Sequence, residues 1–127
     1  MPSTFPEAFG MVAAEGAACG ALPLSAAHSG LAEVTAVLAQ GLEEPLRPLL
    51  SFERSPEAVE EIARKLVAWL QLDATRRERA TASLADTARL RFGWEAVARG
   101  VIAAALGRLE ELPRPGAAGA SPGGESG

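Results

Sequence analysis

The chain has 127 residues, 48% of them hydrophobic and 22% charged, with a formal net charge of -4 and a pI near 5.0. That length allows one domain at most, and the acidic balance excludes a basic footprint for nucleic acid. One cysteine, Cys19, excludes an internal disulfide framework and points to a reducing, cytoplasmic setting.

Residues 1–7 read as loop, marked by Pro2, Ser3, Thr4 and Pro6, with no basic start ahead of an apolar core that would signal export. A helix is expected from Phe9 to Cys19, stopped by Gly20. Residues 9–24 are apolar, but Gly10, Glu15, Gly16, Gly20 and Pro23 interrupt them, so no membrane span is expected. Ala21 to Ser25 is short enough for a buried parallel strand, with Pro23 near an end. The loop Ala26 to Gly30 then lies at that strand's carboxyl end, where open α/β sheets receive ligands. His28 lies in it and reads as a surface residue, since no second His or Cys stands near to make a metal site. Ser29 is placed to cap a helix through Leu31, Val34 and Val37, with Gly41 as its stop.

Leu42 to Phe52 is expected to be mostly irregular, because Pro45 and Pro48 interrupt any strand formed with Leu46, Leu49, Leu50 and Phe52. Ser55-Pro56-Glu57 opens the next helix, in which Val59, Ile62, Ala63, Leu66 and Leu70 recur at helical spacing as a face for a core. On its outer side Glu60 stands four residues before Arg64, and Glu61 four before Lys65. Asp73 caps a helix from Ala74 to Arg91 whose weak apolar stripe and many arginines suggest a surface position. Its Arg76-Arg77-Arg79 cluster reads as solvated, or as a contact for a phosphate or an acidic lipid. Beyond Phe92-Gly93 a last helix carries Trp94, Val97, Val101, Ala105 and Leu109. Residues 113–127, rich in Pro, Gly, Ser and Ala, read as a disordered tail.

The stretch with chemistry in it is Phe5 to Val34. The first N–H groups of a helix lack intrahelical partners and carry partial positive charge, which suits a phosphate. Gly10 at that position leaves out the Cβ that would hold a ligand off the backbone. Glu7 and Glu15 repel phosphate but accept from hydroxyls. In continuous helix they would stand roughly 12 Å apart along the axis, the span of a nucleotide-sugar with hydroxyls at both ends and a diphosphate between. Taken singly, Glu7 reads as a first-turn acid, Glu15 as a solvated helix residue and Gly10 as a loop glycine.

Taken together, Pro6-Glu7-Ala8-Phe9-Gly10-Met11-Val12 through Glu15, then Ala18-Cys19-Gly20, resemble the E-x7-E region of retaining glycosyltransferases with the GT-B fold, specifically group 1, family four. Leu22-Pro23-Leu24 and Ser29-Gly30-Leu31-Ala32-Glu33-Val34 resemble that family's next strand and glycine turn, with some likeness to starch and glycogen synthases. Arg91-Phe92-Gly93-Trp94-Glu95 is similar to the Phe-Ser-Trp-Glu motif opening the family's last helix. Ser29 stands where the family commonly has Gly, and Gly16 where it commonly has Ala.

The resemblance implies an α/β fold: a truncated Rossmann-like donor-binding domain over residues 1–112, mostly helical with one or two short parallel strands. It implies that Glu7 is catalytic and lies against the donor sugar, that Glu15 holds the ribose, and that the backbone of Phe9, Gly10, Met11 and Val12 faces the sugar and diphosphate. The partners implied are a nucleotide-diphospho-sugar donor and an unknown acceptor, with no metal and no cofactor. By the same resemblance the chain starts inside the second GT-B domain, so a fragment inactive without an N-terminal part is expected. The alternative is a non-catalytic remnant serving as a helical association module through its last helix.

Overall fold

The computed structural model describes residues 9–112. Among them the order is α1 (Met11–Ala18), β1 (Ser25–Ala26), α2 (Ser29–Ala39), a 3-10 helix (Glu44–Leu50), β2 (Ser51–Phe52), α3 (Ala58–Leu70), α4 (Ala74–Phe92), α5 (Trp94–Ala105) and a 3-10 turn (Leu109–Glu111). The architecture is mostly helical with two short parallel strands, broadly α/β. The described residues divide into two compact units, 9–93 and 94–112.

Small residues build the core of the first unit. Ala13, Ala14 and Ala17 of α1 are buried with Ala80, Leu84 and Ala88 of α4 and with Leu31, Val34 and Leu38 of α2. Alanines let helix backbones approach closely, so α4 belongs to the core and not to the surface position its weak stripe suggests. Gly41 serves the same approach: a Cβ there would meet the Ser83 carbonyl at 3.2 Å, and the Ser83 hydroxyl donates to the Gly41 carbonyl. Asp73 caps α4 as expected, its Oδ1 accepting from the Arg76 N–H at 2.9 Å.

Helix α1 ends in a paired-carbonyl turn at Gly20, whose φ is +82°. The Ala21 N–H donates to the Gly16 carbonyl at 2.9 Å and the Gly20 N–H to the Ala17 carbonyl at 2.9 Å. The strand after it is shorter and later than Ala21 to Ser25. Pro23 has no N–H, and the Leu24 N–H turns back to the Leu22 carbonyl at 3.0 Å, so the ladder starts only at Ser25.

β1 and β2 pair in parallel, Ser25 opposite Ser51 and Ala26 opposite Phe52. The stretch before β2 is ordered where irregular chain is expected. A 3-10 helix tolerates Pro45 in its first turn, the Leu46 N–H reaches the Glu43 carbonyl at 2.9 Å, and Arg47 Nε donates to the Leu42 carbonyl at 3.0 Å. One face of the strand pair, with Leu24, Ala26 and Phe52, packs against Ala58 and Ile62 of α3.

α3 also closes the outer edge of β2. Lys65 Nζ donates to the Ser51 carbonyl, the Glu53 N–H donates to Glu61 Oε2 at 3.1 Å, and Lys65 Nζ lies 2.7 Å from Glu61 Oε1. These are the backbone groups an added strand would need, so the pair blunts the edge. Hydrogen bonding from Lys65, then from the Glu53 backbone, lowers the Glu61 pKa below its ordinary 4.5. The rest of the α3 stripe does not reach a core: Val59 is 73% and Leu70 68% exposed, with Leu66 and Val67 also exposed, while Trp69 is buried.

In the second unit α5 ends at a left-handed Gly107, where the Arg108 N–H donates to the Ala103 carbonyl at 2.9 Å. Trp94, Val97, Val101 and Ile102 of α5, and Leu106 just after it, are exposed.

Candidate functional site

Gly10 sets the local geometry. It precedes α1 in the left-handed region, φ +61° and ψ +22°, which only glycine enters at little cost. A Cβ on Gly10 would lie 2.7 Å from the Gly30 carbonyl oxygen and 2.8 Å from the Leu31 nitrogen. The start of α1 therefore rests directly on the start of α2. That corrects the reason for a glycine here: the space without a Cβ is filled by the Gly30–Leu31 peptide, not left for a ligand.

The two helix starts differ in access as a result. Gly30 and Leu31 are buried at the start of α2, whereas Phe9, Met11 and Val12 stay exposed, Phe9 by 76%. The first intrahelical bond of α1 runs from the Ala13 N–H to the Gly10 carbonyl at 3.1 Å. The N–H groups of Met11 and Val12 come ahead of it in the chain, where a helix supplies no intrahelical partner. Three large apolar side chains exposed together beside them mark a contact surface.

At the start of α2 the cap differs from the expected one. His28 occupies the cap position without a side-chain cap bond, and Ser29 is the first helical residue with a φ of +51°. Ser29 Oγ lies 3.3 Å from His28 Nδ1 instead of reaching into the helix. The turn holds a serine where its backbone favours glycine.

Glu15 is exposed on α1 and lines a groove of about 130 Å³ with Met11, Ala14, Ala88, Arg89 and Phe92. Arg89 Nη2 donates to the Ala18 carbonyl at 2.9 Å, which completes the α1 end with a cation, and Nη1 stands 4.0 Å from Asp86 Oδ1. Arg89 and Phe92 are the members of this groove that sequence reasoning missed. Arg89 stood only among the other arginines of its helix and Phe92 only in the motif ahead of the last helix; that α4 lies against α1 is a long-range fact.

Glu7 lies outside the described residues. The helix begins only at Met11, so the axial-rise argument for the Glu7–Glu15 separation does not carry across Gly10. Of the expected site residues, Met11 and Glu15 line one groove, Val12 is exposed beside Met11 at the start of α1, Gly10 is buried against α2, and Phe9 is exposed just ahead of them. No group of His, Cys, Asp or Glu among the described residues is arranged to hold a metal ion. No helix among them is long and apolar enough to cross a membrane.

No protein-family model, curated protein or solved structure matches the chain.

Proposed function

We propose that the chain carries the donor-binding part of a retaining glycosyltransferase, with the open start of α1 as the seat for the diphosphate of a nucleotide-sugar. The observation that carries this reading is the access difference around Gly10: the Gly30–Leu31 peptide packed against it is buried, while Met11 and Val12, the first two residues of α1, are exposed. In this reading Glu15, one to two turns along α1, accepts from the ribose hydroxyls, and Glu7 lies against the donor sugar. Catalysis would then rest on positioning and on stabilising charge at the leaving phosphate.

A calorimetric titration with UDP, GDP and ADP tests it. One of the three is expected to bind, and Glu15→Ala is expected to weaken that binding at least tenfold without lowering thermal stability. Absence of heat with all three removes the reading. The exposed apolar residues of α3 and of α5 favour the second reading, a helical association module, which concentration-dependent sedimentation would reveal.

A further inference from the structure

A second cavity, of about 100 Å³, lies at the start of α4 and takes no part in the site above. Arg76 and Arg79 line it from the first two turns of the helix, with Ser83 one turn further on, facing Gly41, Glu43 and Leu46. These arginines are two of the cluster that stands out in the sequence. The third, Arg77, turns away and donates through Nη1 to the Leu70 carbonyl at 3.2 Å.

The charges in this cavity do not balance. Two guanidinium groups face one carboxylate, Glu43, because Asp73 is engaged in capping the helix. Arg76 Nε and Nη2 both donate to the same oxygen, Glu43 Oε2, at 3.2 and 2.9 Å. A guanidinium can instead donate in parallel to two oxygens of one anion, the stronger arrangement. Both partners are substantially exposed, with side-chain accessibilities of 39% and 48%, so solvent anions compete for the pair.

We propose that this cavity is a seat for a phosphate monoester, in which Glu43 is an internal occupant that the phosphate displaces from Arg76. A volume of about 100 Å³ suits one tetrahedral anion. Leu46 and Ala80 close its apolar side, and Arg79 supplies the second cation. The site shares no residue with the α1 groove, so it stands or falls independently of the function proposed above.

The test is the thermal midpoint of the whole chain in inorganic phosphate and in glycerol phosphate, against chloride at equal ionic strength. The proposal expects a saturable rise in both phosphates. Glu43→Gln should lower the phosphate concentration for half the rise by at least threefold, because the internal competitor is gone, and Arg79→Ala should raise it at least tenfold. Vesicles containing phosphatidate provide a second arm: co-sedimentation lost in Arg79→Ala assigns the phosphate to a lipid headgroup, and a rise without co-sedimentation assigns it to a soluble monoester. Equal midpoints in phosphate and chloride for both the parent chain and Glu43→Gln overturn the proposal. So does an Arg79→Ala chain that responds like the parent.

Discussion

Helix α1 carries no apolar stripe; it is alanine-rich with a single acid, and its Ala13, Ala14 and Ala17 are among the most buried residues. Helix α3 has apolar residues at regular helical spacing, yet Val59, Leu66, Val67 and Leu70 face solvent. The difference lies in what stands opposite. α1 meets α4 and α2 through alanines and through Gly10, which allow backbones to approach closely. α3 meets the 3-10 helix and a parallel pair only two residues long; Trp69 is buried and Ile62 packs on the strand pair, while Val59, Leu66 and Leu70 of the stripe stay uncovered in this unit. Periodicity thus states which face of a helix can be buried; the neighbouring elements decide whether it is.

The largest expected effect sharpens this contrast. Leu84→Ala empties a fully buried position in α4 and should cost about 2–5 kcal/mol in urea denaturation. Leu66→Ala, a chemically identical truncation on the exposed stripe, should stay within about 0.5 kcal/mol. Equal losses would mean that the α3 stripe is covered in solution.

Next come two glycines eight residues or fewer from one another along the same stretch. Gly10→Ala adds a Cβ onto the Gly30 peptide at a positive φ and should cost about 2–4 kcal/mol. At Gly16 a Cβ meets nothing within 4 Å, so Gly16→Ala should stabilise by up to about 1 kcal/mol. The same denaturation curves read both, and a harmless Gly10→Ala would break the account of how α1 is seated on α2. Ser29→Gly, relieving a left-handed serine, should raise stability by about 1 kcal/mol.

How far these features could be read in the sequence depends on how local they are. The Asp73 cap, the Gly20 stop and the Glu61–Lys65 pair are set within a few residues and follow from the letters. The short parallel pairing is local only in part: the proline at 23 delays the first strand, and the second follows a 3-10 helix that tolerates Pro45 in its first turn. What stayed hidden is long-range. Nothing near Gly10 states that its missing Cβ accommodates Gly30, and nothing in the arginine-rich α4 states that its alanines pack on α1. At the candidate site the same holds: Glu15 is visible in the sequence, while Arg89 and Phe92 reach its groove only through the fold.

The smallest effect concerns the sealed edge beside α3. Glu61 has its pKa lowered by the Lys65 and Glu53 bonds, so its contribution to stability is fully present above the ordinary value of 4.5 and fades as pH falls through the lowered folded value. Thermal midpoints of the parent and of Glu61→Gln should therefore differ slightly at neutral pH and converge in acid. A constant gap at every pH would show that the carboxylate charge has no part in closing the β2 edge.

The proposed seat for a diphosphate is the exposed start of α1, beside the buried Gly30–Leu31 peptide of α2. An amide-resolved NMR titration with the nucleoside diphosphate that binds tests it most directly. The largest shifts are expected at the Met11 and Val12 amides, with Gly30 and Leu31 moving less. Largest shifts elsewhere in the chain, with Met11 and Val12 unmoved, would contradict it.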